Sequence, residues 1–330
     1  MEYRNFGRAG LKVSRLGLGC GGFGGVGSEP SLFGQGEDET TAFAIMDRAQ
    51  ELGINYFDTA NSYGGGRSEE MVGRWLRSRG ARDRIVLSTK VFNPIGDEPG
   101  PNDSGLSRRH IMQAVDGSLR RLQTDWLDLY VTHEVDPSTP LDETLCALDD
   151  LVHSGKVRYL AASNIEAWRL TRALWVSDRH GLARYEGVQN EYNLLHRGIE
   201  TDVLPLAEDQ RLAVTPFSPL AGGFLTGKYA RHAAYPPGSR MTLRPQPYTG
   251  LLTDETFRAI DALRGEAAQW GVSMGALALA WVHSHPLVTA ALIGPRSADQ
   301  FAPAVESLQV SLTAEDRNRI LGRMEAARAP

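Results

Sequence analysis

The chain has 330 residues and a formal net charge of −5, with 35 Lys and Arg residues mixed among 40 Asp and Glu residues. A chain of this length buries a sizeable core, and the mixed charges exclude a strongly basic surface for nucleic acid or anionic membranes. The first ten residues, MEYRNFGRAG, lack the apolar stretch of a signal peptide, and no apolar run reaches the length of a membrane span. We therefore expect a cytoplasmic protein without nucleic-acid or membrane partners.

The two cysteines, Cys20 and Cys146, are far apart in the chain, and no Cys or His residue has the spacing of a metal site with them. This pattern provides neither a disulfide framework nor a zinc site. We expect both thiols to be buried as small apolar side chains, and we expect no bound metal.

The first predicted strand of the main sheet, residues 15–19, leads into the sequence GLGCGG at residues 17–22. The spacing G-x-G-x-x-G is typical of dinucleotide-binding folds in which a helix begins at the third glycine, and Glu37 and Asp38 lie where such folds place a ribose-binding acid. Here FGGVGSEPSLFGQGEDE follows instead, and helix-forming residues return only near Glu39. The motif therefore predicts a flexible, glycine-rich loop that lines a site and does not predict a Rossmann fold.

Eight apolar, strand-like segments alternate with amphipathic helical segments along the chain. This alternation predicts an α/β fold with a parallel sheet, and eight units predict a closed (β/α)₈ TIM barrel in a single domain over residues 1–330. The sequence YRNFGRAGLKVSR predicts an N-terminal β-hairpin across the barrel floor, and extra helices are predicted near 255–270 and 313–327. The predicted strands are 15–19, 54–58, 85–90, 126–133, 157–163, 185–189, 212–217 and 288–294.

Residues 141–153 are a clear helix candidate, because apolar side chains recur there at the spacing of one helix face. The sequence Thr139-x-x-Asp142 before this face is a capping box, with Pro140 at the first helical position. We therefore expect the Thr139 side chain to cap this helix.

Four polar residues lie at the ends of predicted strands or in the loops that follow them: Asp58, Tyr63, Lys90 and His133. Barrels of this type carry their chemistry at the C-terminal ends of the strands, so we expect these side chains to converge. The aspartate would hold the lysine ammonium, the ammonium would lower the pKa of the phenol from about 10, and the histidine would orient a substrate oxygen. Each residue alone has an ordinary structural explanation, but together they favour a site that donates a proton to a carbonyl.

Nearly the whole chain resembles the aldo-keto reductase family, specifically its bacterial branch related to potassium-channel β-subunits. The resemblance rests on GINYFDTANSYG, LSTK, the stretch from LDLYVTHEVD to YLAASN, VQNEYNLLHR, FSPLAGGFLTGKY and LIGPRSADQ, in the family's order and spacing. It implies an oxidoreductase that uses NADPH, and less readily NADH, to reduce an aldehyde or ketone. Asp58, Tyr63, Lys90 and His133 match the family's catalytic tetrad, with Tyr63 as the general acid.

The resemblance also implies the residues that hold the cofactor. Ser163, Asn164 and Gln189 would bind the nicotinamide carboxamide, Phe217 would stack on the nicotinamide ring, and Gly21 with the residues after it would approach the ring and the substrate. The full implied set is Gly22, Phe23, Asp58, Ser163, Asn164, Gln189, Phe217, Ser218, Leu220, Gly222, Lys228, Gly294, Arg296 and Gln300.

At the adenosine end, Arg296 matches the cation that the family places on the 2′-phosphate, and guanidinium geometry suits such a contact. Gln300 matches the same region, but Ser297-x-x-Gln300 is equally a capping box for the last barrel helix. The chain departs from its relatives at Pro303 and Ala304, where Glu-Asn is common, and neither side chain can form a hydrogen bond. We expect a weaker hold on the adenine.

Three variable loops, 20–38, 92–106 and 221–254, would determine the substrate. The last contains PPGSRMTLRPQPYTG and predicts a lid over the cofactor. The candidate pocket residues are the aromatic Phe23, Phe33, Phe92, Tyr192 and Tyr248 and the polar Asn93, His196 and Arg244, which suit a sugar or hydroxyaldehyde.

Three alternatives remain open from the sequence. The enzyme could be a reductase specialised for a sugar or a nucleotide-linked keto-deoxysugar. Lys90 could form a Schiff base, as the lysine of a class I aldolase does. The protein could also be a nucleotide-sensing binding subunit, like the channel subunits that share the fold. The oligomeric state is left open.

Overall fold

The computed structural model describes residues 1–96 and 98–328, and its centre is a parallel sheet of eight strands. An antiparallel hairpin of two short strands precedes this sheet. In chain order the strands are β1 (Tyr3–Asn5), β2 (Lys12–Ser14), β3 (Leu16–Gly19), β4 (Tyr56–Asp58), β5 (Val86–Val91), β6 (Leu127–Thr132), β7 (Val157–Ser163), β8 (Tyr185–Gln189), β9 (Ala213–Val214) and β10 (Ala291–Ile293).

The sheet closes into a barrel. Strands β3 to β9 pair in sequence, and β10 pairs with β3. The remaining gap is closed by a parallel bridge between Val214 and Val288 and by the Leu292 N–H, which donates to the Pro216 carbonyl at 2.9 Å. The predicted (β/α)₈ barrel is confirmed: seven of the eight predicted strands contain an observed one, and the observed β5 extends one residue beyond the predicted 85–90. Strand β9 is shorter than predicted, because Pro216 has no N–H to extend the ladder.

Eleven helices are described, and most of them surround the barrel. The additional C-terminal helices predicted near 255–270 and 313–327 are confirmed at Asp254–Trp270 and Ala314–Arg328, and the two pack against each other. The helices are α1 (Glu39–Glu51), α2 (Arg67–Arg79), α3 (Arg108–Leu122), α4 (Leu141–His153), α5 (Ala167–His180), α6 (Val203–Gln210), α7 (Arg240–Leu243), α8 (Asp254–Trp270), α9 (Met274–His283), α10 (Ala302–Ser307) and α11 (Ala314–Arg328).

Helix α4 has the predicted bounds but not the predicted cap. Its N-cap residue is Pro140, and no side chain caps the first turn. The Thr139 hydroxyl instead donates to Asp136 Oδ2 at 2.8 Å. The capping-box prediction was therefore wrong, because an ionised carboxylate three residues earlier is a stronger partner for the hydroxyl.

The two cysteines differ in burial. Cys20 is fully buried, as predicted, whereas Cys146 is exposed. The prediction for Cys146 was wrong because position 146 faces solvent on α4, while its neighbours Leu145 and Ala147 face the core. Among the described residues, no helix combines the length and apolarity that crossing a bilayer requires.

The glycine-rich segment after β3 is a loop, as predicted, with no helix at the third glycine. The next α-helix begins at Glu39, and the Asp38 side chain caps it by accepting from the Thr41 N–H at 2.8 Å. Two backbone hydrogen bonds hold the ends of the loop together, from Glu37 N–H to the Gly22 carbonyl at 2.8 Å and from Gly24 N–H to the Glu37 carbonyl at 2.9 Å.

The hairpin covers the barrel floor and contributes to its interior. Phe6 and Val13 are fully buried in the interior cluster with inward-facing strand residues such as Leu129 and Ala161. A Cβ atom on Gly187 of β8 would lie 2.5 Å from Cζ of Phe6, so the ring packs directly on that strand. Phe6 therefore fixes the hairpin to the barrel.

Replacing Phe6 by Ala is expected to lower the free energy of unfolding by about 3–5 kcal/mol, because the ring leaves a cavity inside the barrel. Urea unfolding followed by circular dichroism measures the change. The matched control is Lys12→Ala in the exposed part of the same hairpin, for which we expect a change within about 0.5 kcal/mol. Equal stabilities of the two variants would contradict this role of the ring.

Candidate active site

One cavity of about 1210 Å³ lies at the C-terminal end of the barrel strands. Its wall includes the last residues of four strands, namely Gly19, Asp58, Ser163 and Gln189. Chain segments that follow parallel strands meet at this end, which explains why side chains from distant parts of the sequence converge here.

The predicted tetrad does converge at this cavity. Asp58, Tyr63 and His133 line the cavity, and Lys90 lies behind them, fully buried. Strands β4 and β5 are paired with Asp58 opposite Ser88, so the Lys90 side chain, two residues further along, lies on the same face of the sheet.

Lys90 has three partners around its Nζ atom. It donates to Asp58 Oδ2 at 2.5 Å, to the Thr59 carbonyl at 2.8 Å and to the Tyr63 hydroxyl at 3.3 Å. The second oxygen of Asp58 accepts from Ser88 Oγ at 3.0 Å and from Gln189 Nε2 at 3.1 Å. Both members of the buried ion pair therefore have hydrogen-bond partners.

Burial alone would lower the pKa of Lys90, but the neighbouring Asp58 and Tyr63 raise it above its ordinary value. Lys90 is therefore a charged ammonium. Burial raises the pKa of Tyr63 above its ordinary value, because it outweighs the attraction of the Lys90 charge. The prediction that the ammonium brings the phenol pKa below about 10 was wrong. Tyr63 is protonated at neutral pH and can donate a proton.

His133 lies beside the Tyr63 ring, with 5.6 Å between ring centroids and an edge-on angle of 78°. Burial and the charge of Lys90 lower the pKa of His133 to about 3, so the imidazole is neutral. Its Nδ1 is 3.4 Å from the Asn93 amide nitrogen. With Nδ1 assigned as the acceptor of that hydrogen bond, the ring proton is on Nε2.

Most residues that the resemblance assigned to a cofactor lie in the wall of this cavity. Gly22 and Phe23 are the exceptions. Phe23 is fully buried, and the Glu37 carboxylate packs against Gly22 where a side chain would stand. Of this turn, Gly21 lines the cavity. The implied cofactor residues in the wall are Asp58, Ser163, Asn164, Gln189, Phe217, Ser218, Leu220, Gly222, Lys228, Gly294, Arg296 and Gln300.

The turn at Gly222 and Gly223 requires glycine. Their φ angles are 63° and 103°, in the left-handed region. A Cβ on Gly222 would lie 2.6 Å from the Tyr248 ring, and one on Gly223 would lie 2.4 Å from Cε of Lys228. The two side chains therefore pack directly on this turn at the cavity wall.

The part of the wall that follows β9 and β10 carries four cations, and three of them, Lys228, Arg240 and Arg296, are close enough for their charges to interact. Burial, together with the charges of Arg240 and Arg296, lowers the pKa of Lys228. Such a cation group fits the phosphates of a dinucleotide. Arg240 was missed by the sequence reasoning, since its only signal was a position inside the predicted lid.

The backbone around Arg296 is fixed by Gln300, whose Oε1 accepts from the Arg296 N–H at 2.9 Å. Ser297 makes no side-chain cap, so the capping-box explanation of Ser297-x-x-Gln300 was wrong. Pro303 also lines the cavity, whereas Ala304 is buried beneath it.

The candidate substrate residues divide into two groups. Asn93, Arg244 and Tyr248 line the cavity, and the predicted lid contributes residues 236–240 to its wall. Tyr192 is buried away from the cavity, where its hydroxyl donates to Glu200 at 2.6 Å. Phe23, Phe33, Phe92 and His196 are also outside the wall, while Gly27, Ser28, Glu29, Glu134 and Glu191, which the sequence did not single out, belong to it.

The comparison with known proteins agrees with this geometry. The sequence model of the Aldo/keto reductase family matches residues 15–322. The chain is 39% identical over 322 residues to an uncharacterized oxidoreductase, YrpG, of Bacillus subtilis, covering 96% of this chain and 93% of that protein. It is 37% identical to a probable voltage-gated potassium channel subunit beta of Oryza sativa, covering 94% and 92%. Versiconal hemiacetal acetate reductase of Aspergillus parasiticus is 36% identical, with coverage of 96% and 95%. The chain is an oxidoreductase and belongs to the aldo/keto reductase family.

Proposed function

We propose that the protein reduces an aldehyde or ketone to an alcohol with NADPH, and that Tyr63 supplies the proton. The observation that carries this proposal is the position of the Tyr63 hydroxyl, which faces the cavity and lies 3.3 Å from the Nζ atom of Lys90. A protonated phenol beside a fixed cation can release its proton to a carbonyl oxygen, because the cation stabilises the phenolate that remains.

When bound in the cavity, a reduced nicotinamide would supply the hydride for the carbonyl carbon. Tyr63 donates its proton to the carbonyl oxygen, and Lys90 stabilises the resulting phenolate. Asp58 holds Lys90 in the charged state and in place. His133, which is neutral, donates a hydrogen bond from Nε2 and so orients the carbonyl oxygen toward the phenol.

The cavity wall supports this choice of cofactor. Ser163, Asn164 and Gln189 would hold the carboxamide, and Phe217 would stack on the nicotinamide ring. The turn at Gly222 with Lys228 and Arg240 would hold the pyrophosphate. Ser218 and Leu220 would belong to the same pyrophosphate-binding segment, and Gly294, Arg296 and Gln300 would hold the adenosine end.

The aldolase alternative is disfavoured by the state of Lys90. A Schiff base requires a neutral amine that can reach the substrate. The Nζ atom of Lys90 is fully buried, is paired with Asp58, and has a pKa raised by that pairing. Borohydride trapping with a carbonyl substrate should therefore leave Lys90 unmodified.

A polyhydroxylated substrate, such as a sugar or a nucleotide-linked keto-deoxysugar, is a second candidate within the same reaction. The cavity wall carries polar side chains that can bind hydroxyl groups, among them Ser28, Glu29, Asn93, Glu191 and Arg244. A panel of simple aldehydes, ketones, sugars and keto-sugars, assayed with NADPH and NADH in parallel, separates the two.

Replacing Tyr63 by Phe removes the proton donor and keeps the ring. We expect the rate of carbonyl reduction to fall by about two to four orders of magnitude, while NADP⁺ affinity, followed by protein fluorescence, stays within about twofold. The control is Tyr159→Phe, which also removes a phenol hydroxyl from the barrel but lies outside the cavity wall, and should retain the full rate. Normal turnover by the Tyr63 variant would refute the assignment.

The pH profile of reduction should be flat from about pH 5 to about pH 9. Reduction needs the protonated phenol, so activity is present below the pKa of Tyr63, which is raised, and is lost as the pH rises through it. His133 loses its charge only near its pKa of about 3, so it stays neutral over this range. The measurement is kcat/KM at constant ionic strength, with samples returned to neutral pH to exclude unfolding. A transition near 6.5 would instead indicate a charged imidazole in the reaction.

A further inference from the structure

Arg296 already has an anionic partner within the protein. Its Nε donates to Oε1 of Glu37, a residue 259 positions away in the chain. The Glu37 side chain is only 3% exposed, whereas the Arg296 side chain is 29% exposed. The carboxylate is therefore in the protein interior, and the guanidinium extends from it into the cavity wall.

Glu37 is held rigidly by the glycine-rich loop. Its backbone N–H and carbonyl are both bonded to the segment around Gly22 and Gly24. A Cβ on Gly22 would lie 2.0 Å from Oε2 of Glu37, so the carboxylate occupies the space that a side chain at position 22 would fill. Among the described residues, Oε2 has no hydrogen-bond partner. Arg296 is therefore the group that compensates the buried charge of Glu37.

This pairing leaves a defined part of Arg296 for a ligand. A guanidinium has five N–H donors, and Glu37 accepts from Nε. Nη2 shares the edge of Nε, whereas Nη1 lies on the far edge, away from the carboxylate. A Cβ on Gly238 of the lid would lie 3.4 Å from Nη1, which places this edge beneath the lid. This edge can donate hydrogen bonds to an anionic group, but the Glu37 carboxylate already offsets the positive charge of the guanidinium.

We propose that Glu37 determines how strongly the protein distinguishes NADPH from NADH, and that it weakens the preference for NADPH. The inference rests on the proposed function and concerns its adenosine end. A 2′-phosphate at Arg296 would share the guanidinium with the Glu37 carboxylate and would be repelled by it. A free 2′-hydroxyl carries no charge and leaves the pair intact. The native protein therefore accepts both cofactors.

The substitution Glu37→Gln tests this role, because an amide oxygen still accepts from Arg296 Nε while the negative charge is lost. We expect the Kd for NADP⁺ to fall about tenfold, equivalent to about 1.4 kcal/mol, and the Kd for NAD⁺ to stay within about twofold. Calorimetric titration measures both. The fragments 2′,5′-ADP and 5′-AMP should show the same difference without the nicotinamide end.

The matched control is Glu266→Gln on α8, which also neutralises a buried carboxylate paired with an arginine, Arg323, but lies outside the cavity. It should leave the ratio of the two dissociation constants unchanged. An added Arg296→Met substitution should abolish the gain of the Glu37 variant, since no guanidinium remains to be released.

The native protein provides a test that does not depend on a variant folding. Its dissociation constants for NADP⁺ and NAD⁺ should agree within about tenfold, and a larger preference for NADP⁺ would overturn the proposal. An unchanged ratio or a weaker NADP⁺ affinity in Glu37→Gln would overturn it as well. Failure of the native protein to bind either nucleotide would refute the proposed function itself, which distinguishes the two cases.

Discussion

The buried ion pair of Lys90 and Asp58 is the interaction on which the site depends. A charge removed from water is stable only when it is paired and hydrogen-bonded. Removing one partner of a buried pair destabilises a protein strongly, because the other charge is left uncompensated. Here the partners come from different strands: Asp58 ends β4, Ser88 and Lys90 lie on β5, and Gln189 ends β8. The pair can therefore form only when the barrel brings these strands to their observed places. The ion pair of the site and the fold of the barrel therefore depend on the same arrangement of strands.

A second ion pair, between Arg296 and Glu37, differs from the first in its exposure. Lys90 and Asp58 are both buried, so their charges interact with each other and with the adjacent phenol. Arg296 is partly exposed, so its charge can be divided between the protein and a ligand. In the proposed function the first pair would stabilise the phenolate that Tyr63 leaves, and in the further inference the second pair would adjust the strength of an anion site. Burial decides which of these effects an ion pair has.

The barrel and the tetrad could be predicted because their signals are local. Alternating apolar strands and amphipathic helices indicate a parallel sheet, and polar residues at strand ends mark its C-terminal edge. The features that the sequence predicted wrongly or did not indicate depend on packing between distant segments. The pKa of Tyr63 depends on how far burial outweighs Lys90, which requires the surrounding side chains. The exposure of Cys146 depends on which face of α4 packs against the core. Glu37 and Arg240 have no local signal for their places, Glu37 paired with Arg296 and Arg240 in the cavity wall.

The glycine-rich segment shows why a motif needs its context. In a dinucleotide-binding fold the glycines let the backbone approach a pyrophosphate, and an acid further along binds the ribose. The same residue types occur here at similar spacing, but the loop folds back on itself. A Cβ on Gly36 would lie 2.1 Å from the Gly22 carbonyl, and one on Gly25 would lie 2.6 Å from the Gly64 α-carbon. The third glycine makes room for a carboxylate of the protein, Glu37, in place of a ligand phosphate. The spacing of the glycines therefore predicts that some group closely approaches the backbone. The structure of the following segment determines whether that group is a ligand phosphate or a side chain of the protein.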